Sequence, residues 1–192
     1  MSYSLFIFDL DGVLVESWIQ NFAQGDFTWL SRKIPLVKHM FLDGAELAER
    51  IVGIPPTIKK DIGAWIDENV QRTGILTDRS LFGVEKILLN DSKKDWLNHL
   101  AFIQVRESVL NKHMKKPTRQ NFFISSHVKP HPKILENLTK TTSHPENVLI
   151  VDDNAEFLKI ANTSPFCFGT LPISQGTDIL NTALNTKLVR TS

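Results

Sequence analysis

Short, uninterrupted apolar runs punctuate this chain, and each ends in a polar or acidic residue. Leu5-Phe6-Ile7-Phe8 runs into Asp9, Gly74-Ile75-Leu76 into Thr77-Asp78, and Asn121-Phe122-Phe123-Ile124 into Ser125-Ser126. Val148-Leu149-Ile150-Val151 runs into Asp152-Asp153, and Phe166-Cys167-Phe168 into Gly169. A strand with one face in water alternates apolar and polar residues, whereas one buried on both faces does not. Runs of this kind call for a parallel sheet covered by helices on both sides. Helical spacing fills the gaps, as in Ile58, Ile62, Trp65, Ile66 and Val70, in Ile134, Leu135 and Leu138 after Pro132, and in Phe157, Ile160 and Ala161. The alternation predicts an α/β fold, a Rossmann-like three-layer sandwich around a central parallel sheet of about five strands. Ligands of such sheets bind beyond the carboxyl ends of the strands, where these polar terminators collect.

Two stretches break the alternation. Residues 15–56, with Trp18, Phe22, Phe27, Trp29, Leu30, Leu36, Val37, Met40, Phe41, Leu47 and Ile51, read as two or three helices inserted after the first strand and closed by Pro55-Pro56. The expected organisation is a core of residues 1–14 and 57–192 with a small helical insert over 15–56. Between Lys94 and Met114, Trp96, Leu100, Ile103 and Leu110 suit a helix, while Ala101 to Val105 suit a short strand.

Composition narrows the function classes. The 22 basic and 21 acidic residues give a net charge of +1, without the electrostatic footprint of a dedicated nucleic-acid binder. A lone cysteine, Cys167, forms no internal disulfide and no cysteine-based zinc finger, and reads as a buried strand residue. No apolar run reaches the roughly 18 residues a membrane span needs. The start lacks a basic segment, and Asp9 and Asp11 interrupt its apolar stretch, unlike a secretory signal. The expectation is a soluble protein of a reducing compartment such as the cytoplasm.

Asp9 and Asp11 follow the first run, two residues apart, so their side chains point to the same side of an extended backbone. Like charges there are costly unless a cation or donors offset them. A calcium loop would need further ligands at the next alternate positions, where Val13 and Val15 supply none. If the strand that ends in Asp152-Asp153 is a neighbour of the first, four carboxylates converge. Such a site suits a hard divalent cation with oxygen ligands, Mg²⁺ foremost.

Phe8-Asp9-Leu10-Asp11-Gly12-Val13-Leu14 resembles the first motif of the haloacid dehalogenase-like superfamily of phosphohydrolases. Val151-Asp152-Asp153-Asn154 resembles its fourth motif, and Lys129-Pro130-His131-Pro132 its third. The resemblance spans about residues 5 to 180, and the insert sits where this superfamily places a helical cap. It implies Asp9 as the nucleophile that forms an aspartyl-phosphate and Asp11 as the general acid, then base. It implies Mg²⁺ on Asp9, the carbonyl of Asp11, and Asp153, with Asp152 beside it, and Lys129 as the charge-offsetting cation. Haloalkanoate dehalogenases of the superfamily lack the second aspartate, so Asp11 favours phosphoryl transfer.

The phosphate-binding hydroxyl of the second motif is assigned to Thr77, with Ser125 or Ser126 as the alternative. Arg79 reads as a surface residue, His127 and His131 as no zinc pair because Pro130 separates them, and Lys112, Lys115, Lys116 and Arg119 as a solvated basic run. The expected activity is a Mg²⁺-dependent phosphatase. Because the insert is small, the substrate is either a phosphorylated small molecule or a bulky phosphoprotein, phosphotyrosine included. A phosphomutase, a sugar-phosphate or nucleotide phosphatase, and a non-catalytic binding module are the competing readings.

Overall fold

The computed structural model describes residues 3–15, 35–53, 56–118 and 120–173. Strand β1 (Leu5–Phe8) opens the chain, and helix α1 (Pro35–Val52) lies in the insert. Helix α2 (Lys60–Glu68) leads to β2 (Thr73–Ser80), α3 (Leu81–Asn90), the short α4 (Trp96–His99) and β3 (Phe102–Arg106). Then come β4 (Phe122–Ser125), α5 (Glu136–Thr139), β5 (Val148–Asp152), α6 (Ala155–Thr163) and β6 (Gly169–Pro172). None of the described helices is long and apolar enough to cross a membrane.

The six described strands pair in parallel throughout, in the order β4-β3-β2-β1-β5-β6. The uninterrupted apolar runs have the predicted cause. On β1, Phe6 and Phe8 pack with Ile75, Ile103, Leu149 and Val151 beneath α2, α3 and α4. Leu5 and Ile7 face the opposite way, into a second core with Phe102, Val148 and Ile150 beneath α5 and α6. The sheet is therefore the middle of three layers, as predicted.

It has six strands rather than about five. The ambiguous segment supplies the extra one: every residue of β3 is buried, and its polar members Gln104 and Arg106 masked the apolar run in the sequence. The last strand is displaced from Phe166–Phe168 to Gly169–Pro172. Cys167 sits in a turn at φ 52° and is exposed, not a buried strand residue, while Phe168 alone of that run enters the core. Of the predicted insert, residues 16–34 and 54–55 lie outside the described residues. Its described part is α1, and Met40, Leu47 and Ile51, whose apolar pattern predicted helix, point outward at 67 %, 43 % and 78 % exposure.

Candidate active site

The carboxyl ends of β1 and β5 lie side by side, with Phe8 paired to Val151 and the Asp9 N–H donating to the Val151 carbonyl at 2.9 Å. That pairing brings Asp9 and Asp152 together at the same depth. Lys129, in the turn after β4, places its ammonium 2.7 Å from Asp9 Oδ1 and 2.7 Å from Asp152 Oδ2. All three are buried. The Leu10 N–H also donates to Asp9 Oδ1 at 2.8 Å, and the Asn154 N–H to Asp152 Oδ1 at 2.8 Å, where Asn154 caps α6. Asp153 is exposed at the mouth of the cluster. After Asp11 the chain turns through Gly12 at φ 82°, a left-handed conformation that favours glycine, and the Gly12 N–H closes the turn on the Val15 carbonyl.

The neighbouring end of β2 is bulged. Leu76 pairs with Gln104 and Ser80 with Arg106, so Thr77, Asp78 and Arg79 stand opposite Val105 alone. A bulge re-aims side chains that a regular strand would send alternately to the two faces. Thr77 is buried there, and its hydroxyl accepts from the Arg79 N–H at 3.1 Å. The Asp78 carboxylate accepts from the Lys129 N–H at 2.9 Å. Thr77 thus lies on the strand next to β1. Ser125 ends the edge strand β4, three strands from β1 and so roughly 14 Å away at ordinary strand spacing. Its hydroxyl is occupied by the backbone of His127, and Ser126 is exposed.

Arg79 is not a surface residue. It is 3 % exposed, and its guanidinium holds Asp11 through Nε (3.0 and 2.8 Å) and Nη2 (2.7 Å). The same group holds Glu49 of α1 through Nη1 (2.6 Å) and Nη2 (3.0 Å). Helix α1 meets Asp78, Arg79 and Ser80 of the bulged end. Lys38 pairs with Asp78 at 3.2 Å and donates to the Lys129 carbonyl at 2.6 Å. Glu46 accepts from the Ser80 N–H and hydroxyl, and with Asp43 it holds the fully buried Arg106 at 3.0 and 2.8 Å. Sequence reading missed Arg106, Asp78, Glu46 and Glu49. The available signal was the three-residue spacing of Asp43, Glu46 and Glu49, which places three acids on one helix face.

The electrostatics follow from burial. Desolvation pushes the Asp9 carboxyl well above its ordinary range; Lys129 opposes this, and Asp152 and Asp11 add to it. Asp153 is raised by partial burial first and then by Asp152. Burial alone would lower the Lys129 ammonium, but Asp152 and Asp9 outweigh it and hold the group protonated. One ammonium among several acids leaves an excess of negative charge. Asp9, Asp152 and Asp153 each offer an oxygen within 4.8 Å of the others, a hard donor set of the kind divalent cations take. His127 and His131 are instead ring-stacked at 4.1 Å and belong to no such group among the described residues. A cavity of about 250 Å³ lies between α1 and α3, lined by Glu46, Glu49, Arg50, Phe82 and Lys86, and none of the clustered aspartates borders it.

No protein-family model and no curated protein matches the chain. Solved structures do. An enzyme described as HAD-family from Bacteroides thetaiotaomicron, in complex with magnesium and inorganic phosphate, superposes with a TM-score of 0.52 at 15 % identity, over 93 % of this chain and 98 % of that one. The fold is that of the haloacid dehalogenase-like proteins. A dehalogenase with an intermediate complex gives 0.55 at 13 % identity over 92 % and 87 % of the two chains. A haloacid dehalogenase-like protein from Agrobacterium tumefaciens gives 0.52 at 16 % over 89 % and 82 %. In this haloacid dehalogenase-like fold, the acidic cluster stands at the carboxyl ends of the adjacent strands β1 and β5, the end at which open α/β sheets bind their ligands.

Proposed function

We propose that the chain is a member of the haloacid dehalogenase-like superfamily and a Mg²⁺-dependent phosphatase acting on phosphate monoesters through an aspartyl-phosphate. The observation that carries this reading is the buried Lys129 ammonium held between Asp9 and Asp152, with Asp153 beside them and Asp11 two residues on. Asp9 attacks phosphorus. A P–O bond forms to its carboxylate as the bond to the leaving oxygen breaks, and that oxygen takes a proton from Asp11. Water then attacks the aspartyl-phosphate and gives its proton to Asp11, which releases inorganic phosphate and restores Asp9. Thr77 hydrogen-bonds the phosphoryl oxygens, and Lys129 offsets charge on the nucleophile and the transferring group. Asp9, Asp152, Asp153 and the Asp11 carbonyl would hold the cation. Bound there, Mg²⁺ would supply Lewis-acid charge neutralisation, without which a phosphate dianion is repelled by these acids. The relative complexed with magnesium and phosphate supports the reading.

The exposed Asp153 and partly exposed Asp11 favour a mouth that admits a bulky ester, such as a phosphoprotein side chain, phosphotyrosine included. A screen of phosphosugars, nucleotides and phosphopeptides with and without Mg²⁺ tests it. Phosphate release in water with no sugar acceptor, abolished in a folded Asp9→Asn variant, is the expected outcome. It also eliminates a mutase, which must retain its phosphoryl group. Inactivity of the unaltered protein across the panel would instead indicate a binding module.

A further inference from the structure

We infer that Arg79 is a positioning residue for Asp11, and that Glu49 extends this hold to the insert helix α1. Both edges of one planar guanidinium are occupied. Nε and Nη2 engage Asp11, while Nη1 and Nη2 engage Glu49, all between 2.6 and 3.0 Å. A guanidinium has a rigid fork, so two carboxylates gripped by it are fixed in direction as well as in distance. Arg79 and Glu49 are buried, whereas Asp11 keeps 22 % of its side chain exposed. The accessible member is thus the one that must reach the substrate, and the buried members are its support. Three further contacts of the same helix land on the same bulged strand end or on the strand beside it: Lys38 on Asp78, Glu46 on Ser80, and Asp43 with Glu46 on Arg106. Helix α1 is therefore seated by charge, and among its described residues Glu49 reaches Asp11 through a single intermediary, Arg79.

This rests on the phosphatase reading and deepens it: the protonation of the leaving group depends on how the insert helix is seated. A purely structural ion pair would affect all substrates alike. A positioning role affects them according to how much their leaving oxygen needs a proton. The measurement is kcat/KM for p-nitrophenyl phosphate, whose leaving group departs readily unprotonated, against phenyl phosphate, of the same shape but with a more basic leaving oxygen. This ratio covers only the steps through departure of the leaving group, so the later attack of water does not enter. In Glu49→Gln, kcat/KM for phenyl phosphate falls by roughly tenfold or more, and that for p-nitrophenyl phosphate by less than about threefold. Arg79→Lys, which keeps the charge and loses the fork, shows the same selectivity and serves if the first variant does not fold. Glu46→Gln, which disturbs α1 through Arg106, lowers both substrates by one common factor. Equal losses on both substrates in Glu49→Gln and Arg79→Lys, or a selective loss in Glu46→Gln as well, overturn the inference and leave the phosphatase reading standing. Failure of the unaltered protein to hydrolyse either ester with Mg²⁺ overturns both.

Discussion

Replacing Lys129 by Met removes the charge and keeps most of the stem. The side chain is 5 % exposed, and its ammonium is 2.7 Å from each of two carboxylates. At an effective dielectric constant of about 20, each contact carries about 6 kcal/mol of Coulomb attraction, most of it offset by the desolvation of both partners. Deletion leaves Asp9 and Asp152 buried and facing one another, and breaking a buried pair in this way costs about 3–5 kcal/mol. That is a large fraction of the roughly 5–15 kcal/mol that holds a domain folded. The assay is urea unfolding followed by tryptophan fluorescence at neutral pH, first in chelator and then in magnesium. In chelator the variant loses stability by about that amount. The deficit narrows in acid. Lys129 opposes the rise of the Asp9 carboxyl, so its loss raises that group further and the variant gains more than the unaltered protein when it is protonated, a gain fully present below the ordinary value of 3.8 and lost as pH climbs through the raised folded value. Magnesium raises the midpoint further in the variant than in the unaltered protein, because a cation among Asp9, Asp152 and Asp153 replaces the missing positive charge. Turnover stays about 10²–10³-fold down even then, because the ion restores charge but not the hydrogen-bond donor. Unchanged stability in chelator, or equal magnesium shifts in the two proteins, would refute the reasoning.

Thr77→Ala lowers kcat by about tenfold or more, and Ser125→Ala or Ser126→Ala leaves it within about twofold, as steady-state phosphate release will show; the reverse pattern sinks the assignment of Thr77. Gly74→Ala places a Cβ 2.6 Å from Ile7 Cδ1 and 2.8 Å from Phe102 Cβ, so its urea midpoint falls by the equivalent of about 1–3 kcal/mol. Partial burial alone would raise Asp67, but hydrogen bonds from Lys93 and Trp96 and the Lys93 charge outweigh it and lower its pKa. Its contribution is therefore present above 3.8 and lost as pH falls through the lowered folded value, so Asp67→Asn depresses Tm at pH 7 and converges on the unaltered protein in strong acid.

The fold was legible wherever one kind of burial governed a whole run. β1 and β5 are covered on both faces, so Leu5–Phe8 and Val148–Val151 carry no polar residue to confuse the pattern. β3 is covered as fully, yet Gln104 and Arg106 stand within it. Their polar ends are satisfied by partners distant in sequence: Ile134 and Asn137 for Gln104, Asp43 and Glu46 for Arg106. A periodicity reads only what neighbours in sequence show, and those partners are not neighbours. The Phe166–Phe168 run misled for the opposite reason. Its aromatic rings pack near one another across a turn, with centroids 5.9 Å apart, rather than along a strand.

The same limit divides the site. Asp9, Asp152 and Asp153 were legible because they end or follow β1 and β5, whose apolar runs are unbroken, and Lys129 because its surroundings resemble the superfamily's third motif. Arg79 was not, because its burial depends on an irregularity of β2 and on a helix from elsewhere. In a regular strand Thr77 and Arg79 would share a face and Asp78 the other; across the bulge, Arg79 instead meets Glu49 of α1, and Asp78 meets both Lys38 of α1 and the turn that carries Lys129. Helix α1 in turn looks inverted from sequence, since a helix lying on a sheet face buries its apolar side. This one lies across strand ends, where the groups to be met are ionised side chains and free backbone donors. Asp43, Glu46 and Glu49 therefore turn inward, and Met40, Leu47 and Ile51 turn out. An acid repeated every three residues along one face of a helix, with apolar residues on the other, is thus a sign of a helix seated on a charged strand end.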